Sequence, residues 1–549
     1  MFQFLTTQPL ARLLRRGSQR FDLEMASFVA FSGLANAGLL AIINAAAENA
    51  SNQAANDRLL ALFAITIGLY VFAQRFILIT SITEVERILG GIRVRVADDV
   101  RKADLESLEH LGRSEIFGVV ARETQNISQA ASTLVMATQA LMMVTFSVGY
   151  LAILSKTAFI ITVAVCGVGI LLHLQRAQAL TRMLGQAQRK ENEFLALLTH
   201  LLDGFKEVRL RKARGADLFQ HLRAVSGAVE AVKVESGREF SSHFLFSQLL
   251  VYGLLAAIVF LLPRVSPEYS GVVLKLTAAV LFIIGPLGSI VNAVPIFSAA
   301  NVAAQNIFDI EAQLTASSVA NQNGRPEAPP PAPFSRIHMQ RTVFQYPDRG
   351  TGSVFRLGPI DLDVNAGEML FIVGGNGSGK STLLKALTGL YHPQSGTLTM
   401  DDTLVSADTA TWYRSHFAAV FSEYHLFDRL YGLGDVPAER VSELLALMQI
   451  SHKTAYENGR FTTLDLSHGQ RKRLALLVAL LEDRPILVLD EWAADQDPPF
   501  RQFFYETLLP RLKRDGKTVI AVSHDDKYFH VADRVVKMEY GEFVPYKQA

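Results

Sequence analysis

Six long apolar stretches before residue 300 restrict most strongly what this chain can fold into. They are, in order, Leu23–Ala47, Leu59–Thr80, Ala131–Leu154, Thr157–Leu174, Phe244–Leu262 and Gly271–Val294. A helix that crosses the hydrocarbon core of a bilayer, about 30 Å thick, needs about 20 largely apolar residues. Buried helices of a soluble protein could imitate one such stretch, but not six. The sequence therefore predicts six membrane-spanning helices, of which the fourth is the shortest and has the least defined ends.

Charged residues outside these stretches predict the orientation of the chain in the membrane. Basic residues concentrate in the N-terminal segment and in the loops at 83–130 and 175–243, whereas the opposite loops carry only Arg58, Lys156 and Arg264. Because basic loops stay on the cytoplasmic side, we expect both termini there. Over the whole chain 53 Lys and Arg balance 52 Asp and Glu, which argues against a nucleic-acid-binding protein.

The residue pattern changes twice between the predicted spans and the C-terminal half. Apolar residues at helical spacing after the second span predict that the spans continue as long helices into the cytoplasm, the alternative being a solvated amphipathic segment. These residues are Val85, Ile88, Leu89, Ile92 and Val96. The segment TASSVANQNGRPEAPPPAP has little to bury and indicates a linker. We therefore divide the chain into a six-span transmembrane domain at 1–314, an Ala/Pro-rich linker at 315–333 and a soluble α/β domain at 334–549.

A phosphate-binding loop is the most informative motif of the C-terminal half. Met369–Val373 is a short apolar strand, Lys380–Leu390 is a helical run, and the pattern GxxxxGK[ST] stands between them. Glycines let backbone N–H groups close around phosphate oxygens, and the helix N-terminus adds its positive end. We expect Lys380 to reach the β- and γ-phosphates and the Ser381 hydroxyl to bind magnesium. The residues expected to bind nucleotide here are Gly374, Gly375, Asn376, Gly377, Ser378, Gly379, Lys380, Ser381 and Thr382.

Two more predicted strands end in groups suited to phosphoryl transfer. Asp490 and Glu491 directly follow the apolar run Ile486–Leu489, and His524 follows Val519–Ser523. Because ligands bind at the carboxyl edge of such sheets, Asp490 suits the magnesium shell and Glu491 suits the polarisation of an attacking water. His524 is well placed to contact a γ-phosphate. The sequence therefore predicts an α/β P-loop ATPase domain fused to the helical membrane domain.

A polar segment, LSHGQ at residues 466–470, opens a further helix with the sequence RKRLALLVALL. Ser467 can cap this helix, whose N-terminus can face a phosphate. In their order along the chain, these motifs resemble those of the ATP-binding cassette (ABC) transporters, and the resemblance covers essentially the whole chain. LSHGQ is similar to the LSGGQ signature of that family, so we call residues 466–470 the signature segment. The contacts with nucleotide that the resemblance implies for it are Ser467, Gly469 and Gln470.

The resemblance also implies further roles in the cassette. It implies ATP and Mg²⁺ as cofactors, and stacking of the adenine on Tyr346, which stands 28 residues before Gly374. Asp497 matches the aspartate of the family's D-loop, and His524 matches the switch histidine. Glu491 and His524 are therefore the expected catalytic residues.

Residues that depart from the general family pattern indicate which subgroup of the family this chain resembles. Glu423 stands where a glutamine is usual, His468 replaces a signature glycine, and DEWAADQDP replaces a common Pro-Thr-Ser-Ala run. Glu423 can still hold a magnesium-bound water, so it joins Ser381 and Asp490 as a candidate for the metal shell. These variants look like the subgroup that exports cyclic peptides and peptide siderophores, and within it like the exporters of pyoverdine-type precursors.

The resemblance implies an ATP-hydrolysing half-transporter of the bacterial inner membrane that exports such a peptide from the cytoplasm to the periplasm. In this family ATP lies between the phosphate loop of one cassette and the signature of another, so the implied partners are a second copy of the chain, a peptide substrate and the lipid bilayer. A lipid flippase shares this machinery and stays an alternative. A third interpretation is an ATP-gated channel or a regulatory membrane subunit. The presence of Glu491 argues against it, because gating by ATP binding alone needs no catalytic carboxylate.

Two segments between the spans resemble the short coupling helices that dock on the cassettes of this family. They are Ser114–Ala121 and Ala213–Phe219, each with a few apolar residues among charges. Ordinary loop helices are the alternative for both.

Overall fold

The computed structural model describes residues 8–17, 23–51, 57–112, 116–265, 273–318, 333–347 and 354–546. The chain forms two compact units. The first comprises Met1–Arg101 and Leu111–Gln313, and the second comprises Lys102–His110 and Leu314–Ala549. The second unit therefore takes one short segment from the middle of the helical half.

Long helices dominate the chain before residue 319. They are α1 (Pro9–Gly17), α2 (Leu23–Ser51), α3 (Asp57–Lys102), α4 (Leu105–Leu111), α5 (Thr124–Leu154), α6 (Lys156–Asp203), α7 (Phe205–Leu210), α8 (Lys212–Ala256), α9 (Leu262–Val265) and α10 (Val273–Ser318), with π-helical turns at Gly118–Glu123 and Ala257–Leu261. The end of α10 includes residues 315–318 of the predicted linker. The rest of that linker, 319–332, lies outside the described residues.

Five helical stretches in the described part of the chain are long and apolar enough to cross a membrane. They are Ser27–Asn49, Asp57–Lys102, Gly118–Leu154, Lys212–Arg264 and Val273–Thr315. They correspond to the first, second, third, fifth and sixth predicted spans. The fourth, Thr157–Leu174, falls at the start of α6, where the described apolar stretch is Lys156–Gly169. Side chains at 173–181 lie outside the described residues, so the fourth span stays a prediction.

Helix α3 shows two environments along its length. In its first part apolar side chains are exposed, with Leu60 at 68% and Phe72 at 63%, as expected of a surface that faces lipid. In its last part the predicted apolar stripe is buried, and Leu89 and Val96 have no exposed surface. The predicted continuation of the second span as a helix is therefore confirmed.

The short helices of the helical half lie at other positions than the two predicted coupling segments. Of Ser114–Ala121, residues 114–115 lie outside the described residues and the rest begins the long helical stretch that leads into α5. Ala213–Phe219 lies inside α8. In the two loops that hold these segments, at 83–130 and 175–243, the separate short helices are α4 and α7, so charges among apolar residues did not mark where the long helices are interrupted.

Helix α4 belongs to the second unit through polar contacts as well as packing. Glu109 accepts hydrogen bonds from Lys385 Nζ at 2.9 Å and from the Tyr391 hydroxyl at 2.6 Å. Leu105 packs against the buried core of that unit, and Asp104 lies 3.6 Å from His392. A segment between two predicted spans is therefore an integral part of the second unit.

The second unit alternates strands with helices. Its strands are β1 (Arg336–Pro347), β2 (Val354–Asn365), β3 (Met369–Val373), β4 (Ser395–Met400), β5 (Thr403–Leu404), β6 (Phe417–Val420), β7 (Tyr456–Glu457), β8 (Arg460–Phe461), β9 (Ile486–Asp490), β10 (Thr518–Val522), β11 (Arg534–Glu539) and β12 (Glu542–Val544). Its helices are α11 (Lys380–Leu387), α12 (Ala410–Arg414), α13 (Ala438–Leu447), α14 (His468–Leu481), α15 (Pro498–Phe503) and α16 (Leu509–Arg514), with π-helical turns at Phe504–Leu508 and 3₁₀ turns at Trp492–Asp495 and Asp526–Val531.

A six-stranded sheet in the order β12-β11-β3-β10-β9-β6 forms the centre of this unit. All its pairs are parallel except β11 with β12. In register, Val522 of β10 lies between Ile372 of β3 and Asp490 of β9. The carboxyl ends of three buried strands therefore meet at one edge, where such sheets bind ligands.

The strands of this sheet are apolar on both faces because both faces are covered. Phe371 and Leu489 belong to one core with α13 and α14, whereas Ile372 and Val488 belong to another with α11 and the sheet β2-β1-β4-β5. A strand with two buried faces reads as an unbroken apolar run. Burial on both sides fixes the positions of the loops that leave the strand ends.

Candidate functional site

The loop from β3 to α11, which we call the phosphate loop (residues 374–381), needs glycine at two points. Gly374 has φ of 155°, and a Cβ atom there would lie 2.2 Å from the Met538 carbonyl oxygen. Gly379 has φ of 102°, and a Cβ atom there would lie 3.1 Å from the Phe355 ring. A side chain at either position would force the loop open. The predicted nucleotide contacts at 374–382 thus occupy one tight turn and the first residues of α11.

Lys380 is the first residue of α11, and its side chain turns back over this loop. Its Nζ donates hydrogen bonds to the carbonyl oxygens of Gly374 at 3.0 Å and Gly375 at 2.9 Å, and only 5% of the side chain is exposed. The ammonium also lies 3.7 Å from Glu491 Oε1. The loop and the end of β9 therefore converge on one cation.

Glu491 follows β9 in a left-handed backbone conformation, with φ of 49° and ψ of 35°. Its Oε1 atom lies 3.0 Å from His524 Nε2, a contact formed by the two loops that leave β9 and β10. Non-glycine residues adopt this conformation only where the surroundings hold them in it. The structure thus brings together three predicted residues, Lys380, Glu491 and His524.

Asp490 is the last residue of β9, directly before Glu491, and is 1% exposed. Its Oδ2 atom accepts a weak hydrogen bond from the Ser422 N–H at 3.4 Å, whereas Oδ1 is buried and has no hydrogen-bond partner among the described residues. An unpaired buried carboxylate oxygen is costly unless a cation or donor satisfies it. This oxygen fits a magnesium ion, which is bound by one or two carboxylates together with phosphates and water.

Two other predicted contacts with ligand differ in how far the structure describes them. Glu423 follows β6 and is exposed, on the loop that also carries Ser422. Tyr346 pairs with Phe355 between β1 and β2, but its side chain lies outside the described residues. Its contact with adenine stays a prediction.

The start of α14 carries the signature segment. Ser467 Oγ accepts a hydrogen bond from the Gln470 N–H at 3.4 Å, and Gln470 Oε1 accepts one from the Ser467 N–H at 3.1 Å. This capping box satisfies two orphan donors of the helix, and the prediction that Ser467 caps the helix is confirmed. Gly469 lies against the next loop, where a Cβ atom would come within 2.7 Å of the Asp495 carbonyl oxygen.

Four residues that the sequence motifs did not indicate as a group connect this helix to Glu491. Lys472 Nζ donates to the Glu491 carbonyl oxygen at 2.9 Å and lies 2.5 Å from Asp495 Oδ2, which is also 3.3 Å from His468 Nε2. Trp492 Nε1 donates to the Lys472 carbonyl oxygen at 2.8 Å. The hydrogen bond from Lys472 holds the pKa of Asp495 below its usual range. The available signal was the group of three basic residues, Arg471–Arg473, at the start of the helix that continues as LALLVALL.

A second set of contacts holds the same loop farther along α14. Arg473 pairs with Asp497, donates from Nε to Gln496 Oε1 at 2.8 Å, and lies 3.6 Å above the Phe500 ring. Gln496 in turn donates to the Gly469 carbonyl oxygen at 3.2 Å. Burial lowers the pKa of Arg473, while Asp497 raises it. The D-loop candidate Asp497 is therefore tied to the signature helix.

Comparison with known proteins places these features in one family. The ABC transporter family matches residues 357–494. The ATP-binding protein SyrD of Pseudomonas syringae pv. syringae is 34% identical over 473 residues, which cover 83% of this chain and 82% of that protein. The probable syringafactin export ATP-binding/permease protein SyfD of Pseudomonas syringae pv. syringae (strain B728a) is 33% identical over 212 residues, which cover 36% of this chain and 32% of that protein. The structure of a bacterial Atm1-family ABC exporter with ATP bound has a TM-score of 0.76 at 16% identity and covers 95% of this chain and 93% of that chain.

The similarity to SyrD covers 83% of this chain, which is more than the cassette alone. The Atm1-family exporter shares the fold over 95% of this chain. A multi-pass helical membrane domain is therefore fused to an ABC ATPase domain, in which ATP hydrolysis is coupled to export. The chain belongs to the ABC transporter family.

Proposed function

We propose that two copies of this chain use ATP to export a peptide, either a cyclic peptide or a peptide siderophore precursor of the pyoverdine type, from the bacterial cytoplasm to the periplasm. The observation that carries the ATPase mechanism is the convergence of Lys380, Glu491 and His524. Glu491 Oε1 lies 3.7 Å from Lys380 Nζ and 3.0 Å from His524 Nε2. A cation, a carboxylate and an imidazole thus share the edge of the sheet where a phosphate would lie.

Each of these groups has a distinct part in phosphoryl transfer. The phosphate-loop N–H groups and Lys380 bind the β- and γ-phosphates, and Tyr346 stacks on the adenine. Glu491 orients the attacking water, and His524 contacts the γ-phosphate. Phosphoryl transfer depends mainly on such positioning and on charge stabilisation, so a small displacement of Glu491 is enough to slow it.

Ser381 and Asp490 would hold a magnesium ion, and Glu423 would hold a water bound to it. The buried, unpaired Oδ1 of Asp490 supports this assignment. When bound, the ion neutralises charge on the phosphates and orients them. Asp490 is the last residue of β9, so its carboxylate stays at the sheet edge.

The arrangement of the two nucleotide-binding segments supports dimerisation. Each chain carries one phosphate loop and one signature segment, and Ser467 and His468 are exposed at the start of α14. We assign Ser467, Gly469 and Gln470 to the ATP that is bound by the phosphate loop of the second copy. The open N-terminus of α14 suits a phosphate presented from outside the chain.

A peptide substrate is supported by two observations. SyfD, whose name describes syringafactin export, is similar to 36% of this chain. In the membrane domain, a groove between α8 and α10 combines apolar and aromatic walls with two polar side chains; its lining includes Phe244, Ser247, Gln248, Tyr252, Ile284 and Gly288. Polar groups at membrane depth commonly line a substrate path, so Ser247 and Gln248 are candidates to line such a path.

Transport into inside-out membrane vesicles tests the proposal. The chain and its Glu491→Gln variant are reconstituted with the cassettes outside, and uptake of labelled cyclic peptide or siderophore precursor is measured with and without ATP. We expect ATP-dependent uptake only with the unchanged chain. Equal uptake by both chains would refute active export, and uptake of labelled lipid but not of peptide would identify a flippase instead. Cells that lack the protein should retain the unfinished peptide.

A further inference from the structure

Glu491 needs a backbone support that the phosphate loop does not provide. Its left-handed conformation, with φ of 49°, is strained for a residue with a side chain. Its N–H donates to the Val522 carbonyl oxygen at 3.2 Å, which fixes one side of the residue to β10. On the other side of the residue, the carbonyl oxygen of Glu491 accepts a hydrogen bond from the Lys472 ammonium at 2.9 Å.

Lys472 can act as this support because it is itself held on two sides. Its side chain is 5% exposed and its ammonium lies 2.5 Å from the Asp495 carboxylate. Its carbonyl oxygen accepts the hydrogen bond from the Trp492 indole at 2.8 Å. Trp492 is 1% exposed and packs against Phe504 at 4.4 Å between ring centroids. Residues 491 and 492 are thus bonded to the same residue of α14.

We infer that Lys472 is a positioning residue for hydrolysis: its ammonium binds the Glu491 carbonyl and the Asp495 carboxylate, and so holds Glu491 in the left-handed conformation that directs its side chain toward Lys380 and His524. The inference rests on the proposed role of Glu491 in orienting water. We call Lys472, Trp492, Asp495 and His468 the clasp.

The chemistry of the clasp explains why a lysine is buried there. A buried ammonium is costly unless it is paired and hydrogen-bonded, and here one carboxylate and one carbonyl satisfy it. Asp495 Oδ2 also lies 3.3 Å from Nε2 of the exposed His468. Gly469 permits the close approach, since a Cβ atom there would meet the Asp495 carbonyl oxygen at 2.7 Å.

The test compares Lys472→Met with a matched lysine at the opposite edge of the sheet. Lys517 also donates to one carboxylate and one backbone carbonyl, those of Asp483 at 2.7 Å and Arg484 at 2.9 Å. It precedes β10, so it lies at the amino edge, away from Glu491. Lys517→Met therefore removes the same kind of interaction without touching the catalytic group.

For the full-length protein in detergent we expect Lys472→Met to lower kcat for ATP at least about tenfold, as misplacement of a catalytic group does. The dissociation constant for a fluorescent ATP analogue should change less than about twofold, because the phosphate loop is untouched. Lys517→Met should leave both values within about twofold. Lys472→Arg, which keeps a charged donor, should recover part of kcat. Trp492→Phe, which removes the indole N–H but keeps the packing, should give a smaller loss than Lys472→Met.

A double variant separates positioning from general damage. If Lys472 acts through Glu491, Lys472→Met should cause no further loss of single-turnover rate in a Glu491→Gln background. A wild-type kcat in Lys472→Met would overturn the inference, and so would an equal loss in Lys517→Met or a full additive loss in the double variant. If Glu491→Gln alone hydrolyses ATP normally, the assigned role of Glu491 fails instead. None of these measurements depends on the identity of the exported compound.

Discussion

The phosphate loop and the signature segment are both glycine-containing turns before a helix, but they differ in what they do with their polar groups. In the phosphate loop, glycines with positive φ fold the backbone around a buried Lys380. In the signature segment, Ser467 and Gln470 bind each other's backbone, and His468 is 65% exposed. The phosphate loop encloses the Lys380 ammonium, whereas the signature segment exposes the N-terminal end of α14 to solvent.

This difference indicates that the two turns are halves of different sites. The phosphate loop, together with the neighbouring Glu491 and His524, supplies the phosphate-binding and hydrolytic groups of one site. A capped, outward-facing helix end contributes its remaining N–H groups and its dipole to a ligand held elsewhere. The comparison therefore favours a site shared between two copies, and the following predictions test it.

The largest effect is expected at Glu491, the carboxylate next to the phosphate loop. Glu491→Gln should lower ATP turnover by at least about 10²-fold, because the amide no longer orients the attacking water. ATP binding should stay nearly unchanged, since Lys380 and the loop N–H groups remain. Steady-state hydrolysis and binding of labelled ATP measure the two properties separately. Normal hydrolysis in the purified variant would remove Glu491 from its proposed role.

Lys380→Ala should act on binding instead. Loss of charge-assisted hydrogen bonds to the phosphates, each worth about 1.5–3 kcal/mol, should weaken ATP binding about 10- to 100-fold. Lys385→Ala is the control, because Lys385 lies on the same helix but pairs with Glu109 at 2.9 Å. Unchanged affinity in Lys380→Ala, or equal weakening in Lys385→Ala, would contradict the assignment.

The shared site is tested by mixing two inactive chains. A Lys380→Ala chain and a Ser467→Arg chain form mixed dimers with one unaltered site and one doubly altered site, if the two segments meet across the dimer. With random pairing and independent sites, about a quarter of wild-type ATPase activity should return. Failure to recover activity, when mixed dimers are shown to form, would exclude independent shared sites.

The phosphate loop and the carboxylates after β9 were predictable because each motif consists of residues that are consecutive in the sequence. The strand Met369–Val373, the glycines and Lys380 are consecutive, and so are Asp490 and Glu491 at the end of β9. Ser467 was recognised as a cap for the same reason. Their convergence followed from the rule that parallel strands end at one edge.

The clasp and the short helices were not predictable in this way. Lys472 and Asp495 are 23 residues apart, and their pairing depends on how α14 packs against the loop after β9. Similarly, α4 joins the second unit through Glu109 and Lys385, which are 276 residues apart. Contacts of this kind leave only single charged residues in the sequence, without a period that would reveal their partners.

The smallest effect separates the two uses of Ser467. Ser467→Ala removes the cap and should destabilise the cassette by about 1 kcal/mol, or about 2–4 °C in Tm for a domain of this size. Ser467→Asp keeps a capping oxygen, so its Tm should stay near that of the wild type, but its carboxylate would repel a phosphate. Intrinsic fluorescence of the full-length protein reports this unfolding selectively, because the only two tryptophans, Trp412 and Trp492, both lie in the cassette. We expect Ser467→Asp to lose more ATPase activity than Ser467→Ala while it unfolds at a higher temperature. If activity follows Tm in both variants, Ser467 serves only as a cap and no phosphate approaches it.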